Sequence, residues 1–372
     1  MSKPPAILIM IHCRENTGYA ISSLEYVFYQ AALLAGFPEE RIFWSFNGLD
    51  DNNATNKIDC NYLDPDQVSL IPYLKNNNIK TVIAFDLGYP AAIIDLLKKN
   101  GVSKIISYWG ASMSGLNKGL KLILKKMEFY CRKNRPDCFI FESEAMRRTA
   151  THGRGVPHAL TNVVYLGVDT ERFFPSYGNY FYAHEQLGID KSRKIIFYSG
   201  HMEERKGVRI IIKAAIQLAN MNAIDGIHFV ICGNKGDEAK TYTEMLIGTK
   251  AESHVTFAGY RGDIPALMRS SYIGLIASIG WDSFTMSSVE MMASGLPMIV
   301  SNLQGLSETI ENNKNGYLVN PGDYEDISQK LLLLCSDSNL AYEFSKNSRK
   351  RAEQYFSVSQ QIKEIARLLP RF

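Results

Sequence analysis

Short apolar runs alternate with longer helically patterned stretches along almost the whole chain, and this alternation limits the folds open to it. Residues 6–11, 80–85, 103–108 and 138–142 are apolar runs, and stretches with helical spacing cover 19–35, 91–99 and 119–132. Runs that are apolar throughout, rather than alternating, suit strands buried on both faces, and intervening helices suit parallel crossover connections. The pattern restarts at 194–199 and continues through a helix at 208–220 and strands at 227–232, 255–258, 273–277, 297–300 and 317–319. Helices at 324–336, 340–355 and 358–369 close the chain. Between the two series, residues 173–185 are aromatic and turn-rich, the texture of a linker. The expected fold is α/β, with two successive Rossmann-like, doubly wound domains at 1–175 and 190–356. Ligands of such sheets bind beyond the carboxyl ends of the strands.

Composition narrows the function classes. The chain has 372 residues, enough for two domains, and its 46% hydrophobic and 21% charged content is that of an ordinary soluble protein. A formal charge of +3 gives no reason to expect nucleic acid as a partner. The six cysteines form no C-x-x-C pair, so neither a metal site nor a disulfide framework is expected. The apolar run after Pro5 is too short for a signal peptide, and no run approaches a spanning helix. A cytoplasmic location with reduced thiols is the expectation.

The most informative segment runs from Asp282 to Asp323. Asp282 and Glu290 stand eight positions apart, separated by Phe284 and a run that becomes a helix over 287–294. Gly295-Leu296-Pro297 stops that helix, and a short apolar strand follows. A loop that enters a helix offers free N–H groups and the positive end of a dipole to an anion. One acid lies before that helix and the other about two turns into it. A ligand with phosphate in its middle, a polyol at one end and a ribose at the other has the matching layout, which is the shape of a nucleotide-sugar.

This segment resembles the donor-binding motif E-x-F-G-x-x-x-x-E of the retaining GT-B glycosyltransferases of family GT4. Glu290 matches the second acid, which in the family binds the ribose. Asp282 stands where the family has the first Glu, which binds hydroxyls of the transferred sugar; Phe284 matches, and Thr285 replaces the Gly. The run from Gly305 to Asp323 is similar to the family's G-x-x-E-x-I-x-x-G-x-N-G-x-L-V-x-P-x-D. The end of the 194–199 strand, Gly200, and then Lys206-Gly207 resemble the segment whose Arg and Lys grip the diphosphate. His201 replaces that Arg, and Arg205 is the candidate second cation. Gly18, in the loop after the first strand, occupies the place of the family's Gly-Gly pair. Ser143-Glu144 and the stretch 163–175 look like signatures that end the first domain. In the 107–112 loop, where relatives often carry a His, there is none, and Gly110 and Ser112 are the candidate acceptor-side contacts.

The resemblance implies a cleft between the domains and a last helix, 357–372, that crosses back onto the first. It also implies transfer of a sugar from a nucleotide-sugar, UDP-linked, to a hydroxyl of a glycan or lipid-linked acceptor, with retained anomeric configuration. The leaving diphosphate would take the acceptor's proton, while Lys206, Arg205 and the amides of Thr285, Met286 and Ser287 stabilise it. Catalytic roles fall on Lys206, Asp282 and Arg205. Donor binding falls on Gly18, Gly200, His201, Lys206, Asp282, Phe284, Thr285, Met286, Ser287 and Glu290. The D-x-D at Asp64–Asp66 lies far from the motif in sequence, so neither a metal nor any other cofactor is expected. Two alternatives stay open: a GT-B nucleotide-sugar epimerase, and a catalytically weak binding homologue.

Residues 118–135 form a separate feature. Lys118, Lys121, Lys125, Glu128 and Arg132 share one helical face, while Leu120, Ile123, Leu124, Met127 and Cys131 share the other; Lys126, Lys133 and Arg135 add charge. Either the apolar face packs into the core of the first domain, or the helix leans on an anionic membrane at the inner face of the cell.

Overall fold

The computed structural model describes residues 3–50, 56–62, 69–176, 178 and 180–371. The D-x-D at Asp64–Asp66 lies outside the described residues. The chain divides into two compact units, one of residues 1–165 with 359–372, the other of residues 166–358.

In the first unit, strands β1 (Ala6–Met10), β2 (Ile42–Phe46), β3 (Lys57–Asp59), β4 (Ile79–Phe85), β5 (Lys104–Trp109), β6 (Cys138–Phe141) and β7 (Thr161–Val163) form one sheet. Its order is β3-β2-β1-β4-β5-β6-β7. In the second unit, β8 (Lys194–Ser199), β9 (Ile227–Cys232), β10 (Val255–Gly259), β11 (Ile273–Ile276), β12 (Met298–Ser301) and β13 (Gly316–Val319) follow the order β10-β9-β8-β11-β12-β13. Every described pairing is parallel. In both sheets the winding reverses beside the first strand, between β1 and β4 and between β8 and β11. These are two Rossmann-like, doubly wound sheets, the α/β class read from the sequence.

The helices are α1 (Gly18–Leu34), α2 (Leu70–Asn76), α3 (Ala92–Lys99), α4 (Gly119–Cys131), α5 (Glu144–Thr151), α6 (Tyr182–Leu187) and α7 (Val208–Asn220). They continue with α8 (Lys240–Glu244), α9 (Ile264–Arg269), α10 (Met286–Ala293), α11 (Tyr324–Ser336), α12 (Ser338–Tyr355) and α13 (Val358–Leu368). Central strands read as unbroken apolar runs because both faces are covered: Ala6 to Met10 and Ile227 to Cys232 are buried throughout. The α7 helix shows the complementary pattern, burying Val208, Ile211, Ile212, Ala215, Leu218 and Ala219 at i, i+3 and i+4 spacing. Ser143, Asp323 and Asp337 cap α5, α11 and α12 by accepting hydrogen bonds from backbone amides.

The sequence reading passed over β2, β3, β7, α2 and α5, which are short or polar. It also took 173–185 as a linker, whereas the division falls between Tyr165 and Leu166 and α6 begins within that stretch. The helix is held by tertiary contacts: the Ala183 amide donates to Ser270 Oγ at 3.0 Å, and the His184 ring lies 2.9 Å from the Arg193 carbonyl. The two segments of chain at the edge of the second unit run side by side, with Val168 bridged in parallel to Ser357. A Cβ at Gly167 would come within 2.6 Å of Val358 Cα, so the crossing requires glycine.

Past that bridge, α13 lays Gln361, Ile365 and Ala366 in the interior, and Gln361 Nε2 donates to the buried Tyr108 hydroxyl at 3.2 Å. Truncation at Ser357 therefore removes core from the first unit, although the cut lies at the other end of the sequence. Hydrogen exchange on the truncated protein is expected to accelerate in residues 3–165, while residues 208–336 keep their protection.

Candidate functional site

The second unit builds its site at the carboxyl ends of β8 and β11, the two strands that flank its reversal point. Past β8 the chain turns through Gly200 and His201, then reaches Arg205, Lys206 and Gly207 before α7. Gly207 has φ +75°, and a Cβ there would stand 1.8 Å from the Ala277 carbonyl oxygen, so only glycine lets this loop press on the end of β11. Past β11 come Ser278 and Asp282, then Thr285 and α10.

Lys206 and Asp282 meet at this junction. The Lys206 ammonium lies 3.1 and 3.0 Å from the two carboxylate oxygens of Asp282, which is 4% exposed. Ser278 Oγ donates to the same carboxylate at 2.7 Å, and the Asp282 amide faces Gln304 Oε1 at 3.4 Å. The sequence reading gave the lysine and the aspartate to different parts of the ligand; here they are partners. Arg205 is more exposed. It pairs with Glu203 at 2.6 Å and donates to the Trp281 carbonyl at 2.9 Å, while its own carbonyl accepts from the Ile279 and Gly280 amides. It braces the loop that carries Asp282. His201 is exposed, and its carbonyl accepts from the Tyr198 hydroxyl at 2.8 Å. Burial, reinforced by Asp282, pushes the Tyr198 phenol up, so it stays neutral.

The α10 helix starts without a side-chain cap. Thr285 holds the capping position, yet its Oγ1 is buried and makes no hydrogen bond within the protein. Asn234 Oδ1, past β9, and Ser301 Oγ, at the end of β12, are buried and unpaired in the same way. Each such oxygen costs about 1–3 kcal/mol unless a partner arrives. Met286 and Ser287 form the first turn, half-buried, and Glu290 is buried one turn on. Phe284 is also buried, edge-on to Phe356 at 5.4 Å, so its side chain anchors the motif loop in the core. Neither α1 nor α7, the helices that follow β1 and β8, has a side-chain cap. Uncapped helix starts beyond strand ends can hold an oxyanion.

Gly18, Gly110 and Ser112 belong to the first unit. Gly18 opens α1 with φ +72° and open space around it. Ser112 is exposed. The Gly110 amide donates at 2.9 Å to Asp86, which follows β4 in a left-handed conformation (φ +54°). Burial raises the Asp86 carboxyl, opposed by the Gly110 amide, by His12 and by the Ala111 amide. His12 stacks on Phe85 with ring centroids 5.4 Å apart, and its Nδ1 lies 3.1 Å from the Tyr62 hydroxyl. Beyond β6, burial pushes Glu142 up to about 8, although the Tyr108 hydroxyl donates to it at 3.1 Å. The sequence reading missed His12, Asp86 and Glu142; their signal was a polar side chain directly after an apolar strand.

Residues 182–351 match the family of glycosyl transferases group 1. The matched segment lies within the second unit. The chain is 30% identical over 230 residues to spore coat protein SA of Bacillus subtilis, covering 58% of this chain and 59% of that one. It is 24% identical over 252 residues to the UDP-Gal:α-D-GlcNAc-diphosphoundecaprenol α-1,3-galactosyltransferase of Escherichia coli, covering 67% and 63%. The chain thus spans about three fifths of the length of these relatives. Its fold is that of Anabaena HepE, solved in complex with UDP, with TM-score 0.76, 18% identity and coverage of 99% and 100%.

Within the second unit, sequence reasoning also missed Ser278, Gln304 and Asn234. Each is a small polar residue just after a strand, a weak sign alone. Among the described residues no three His, Cys, Asp or Glu side chains gather as metal ligands.

Glu142 gives a pH test of the first unit. Its folded-state pKa lies above the ordinary carboxylate range, so between that range and about pH 8 the folded chain binds the extra proton. Stability should therefore fall as pH rises through this window. The melting temperature of Glu142→Gln is expected to fall less between pH 5 and pH 8 than that of the unsubstituted protein, as followed by circular dichroism.

Proposed function

We propose that the protein transfers a hexose from a nucleotide-sugar, UDP-linked, to a hydroxyl of a glycan or lipid-linked acceptor, with retention and without a metal. The observation that carries this reading is the Lys206–Asp282 pair beside the uncapped start of α10. A cation, free amides and buried unpaired oxygens at one strand edge fit a diphosphate that links two polyols. Support comes from the relatives: the E. coli enzyme is named for a UDP-Gal donor and a diphosphoundecaprenol acceptor, and HepE was solved with UDP. The E. coli enzyme's name describes a transferase, which favours transfer over the epimerase alternative.

In this reading the amides of Thr285, Met286 and Ser287 and the Lys206 ammonium receive the diphosphate. Gly200 and His201 line its approach, Arg205 adds charge, and Glu290 accepts from the ribose hydroxyls. Diphosphate draws Lys206 away from Asp282, and the released carboxylate accepts from hydroxyls of the sugar. Departure of the nucleoside diphosphate leaves oxocarbenium character on the sugar. The acceptor hydroxyl then attacks from the same face, and its proton passes to the departing phosphate oxygen. Gly18, Gly110 and Ser112, all in the first unit, serve the acceptor side. The protein supplies alignment and charge stabilisation at the leaving group.

Lys206→Ala should lower turnover about 10²–10³-fold, the range for loss of one transition-state stabiliser. Steady-state release of UDP at saturating donor, with EDTA present throughout, measures it; a variant within threefold of the parent sinks the assignment.

The two acids should separate in calorimetry. Glu290→Gln is expected to weaken free UDP and UDP-sugar alike, because both carry the ribose. Asp282→Asn should leave UDP binding nearly intact while impairing sugar discrimination and turnover. The opposite pattern reverses the assigned roles.

A further inference from the structure

The α4 helix is set with its apolar side outward. Of its thirteen residues only Phe129 is buried. Leu120, Ile123, Leu124, Met127 and Tyr130, with Leu116 just before the helix, are each more than half exposed. They recur at i, i+3 and i+4 spacing, so they form one continuous stripe. This settles the choice left open by the sequence: the apolar face does not pack into the core. The helix touches its unit from the other side, where a Cβ on Gly155 would collide with the backbone of Lys125 and Lys126. An exposed apolar stripe of this extent is unfavourable in water and calls for a partner.

The surrounding charge identifies that partner. Lys118, Lys121, Lys126, Arg132 and Lys133 are all exposed around the stripe. Glu128, the one acid in the helix, is already engaged by Lys125 at 2.6 Å and Arg132 at 3.5 Å. Beside α4 lies a cavity of about 290 Å³, lined by Leu122, Lys126, Tyr130, His152, Val156 and His158. Apolar side chains that insert, cations that reach phosphate, and an aromatic at the boundary are the composition of an interfacial helix. Among the described residues no helix is long and apolar enough to cross a membrane, so the contact is parallel to the surface.

We propose that α4 docks the protein on an anionic lipid bilayer, with the Leu120, Ile123, Leu124, Met127 and Tyr130 stripe inserted below the headgroups and the flanking lysines on lipid phosphates. The inference stands on α4 alone, so its failure would leave the transfer reading intact.

The test is co-sedimentation of the full chain with vesicles of phosphatidylcholine, with and without phosphatidylglycerol, at two salt concentrations. Binding is expected to require phosphatidylglycerol and to weaken with salt. Leu120→Glu with Leu124→Glu should reduce partitioning at least about 100-fold. Lys121→Gln, Lys126→Gln and Lys133→Gln together should cost about two orders of magnitude, near 1 kcal/mol per charge. All five positions are exposed, and unchanged melting curves would confirm folding. Turnover with a water-soluble acceptor should stay at the parent value in both variants. Three results would overturn the proposal: no vesicle binding by the parent, binding indifferent to phosphatidylglycerol, or a parent dimer in sedimentation velocity that the leucine variant dissociates. The last would mean that a second copy covers the stripe.

Discussion

Parallel pairing governs this protein. Neighbouring parallel strands cannot be joined by a tight turn, so each needs a crossover, and the crossovers here are helical or irregular. Every strand then ends at the same edge of its sheet, and the segments that begin helices gather there. Where the winding reverses, the crossovers leave to opposite faces and open a crevice between adjacent strand ends. In the second unit β8 and β11 flank that point, and the loops after them carry Lys206 and Asp282. In the first unit β1 and β4 flank it, followed by His12 and Asp86.

The Lys206–Asp282 pair is an energetic compromise. Removing two opposite charges from water costs more than their attraction returns unless hydrogen bonds complete the site. Ser278 supplies one such bond, and Lys206 contacts both carboxylate oxygens. The approach is possible because Gly207 adopts a left-handed conformation against the Ala277 carbonyl, where any side chain would collide. The pair is therefore held in place by backbone geometry. Thr285, Asn234 and Ser301 keep unpaired oxygens at the same strand edge.

Much of the fold was legible. The runs 194–199, 208–220 and 227–232 coincide with β8, α7 and β9 because strands buried on both faces and strongly amphipathic helices leave a pattern that needs no tertiary information. The missed elements lacked such a pattern. The β3 strand is a three-residue edge with no buried residue, and α6 depends on Ser270, far along the chain, as well as on the nearby Arg193 carbonyl. The motif of two acids was equally legible, yet its members have different surroundings. Phe284 packs against Phe356, Arg205 braces the 279–281 loop, and Ser278, which no motif singled out, is bonded to Asp282.

By itself the sequence determined the α/β class, the long buried strands and amphipathic helices, the turn glycine before α7 and the amphipathic character of residues 118–132. All of these follow from the local period of apolar residues or from the backbone freedom of one residue. The tertiary structure alone decided that Lys206 bonds Asp282 across 76 positions, that Glu142 is buried with its pKa raised by that burial, and that α4 faces its leucines outward. Periodicity shows that a helix has two faces but not which one meets the core. That choice, like the partner of a buried charge, is set by what other parts of the chain bring alongside.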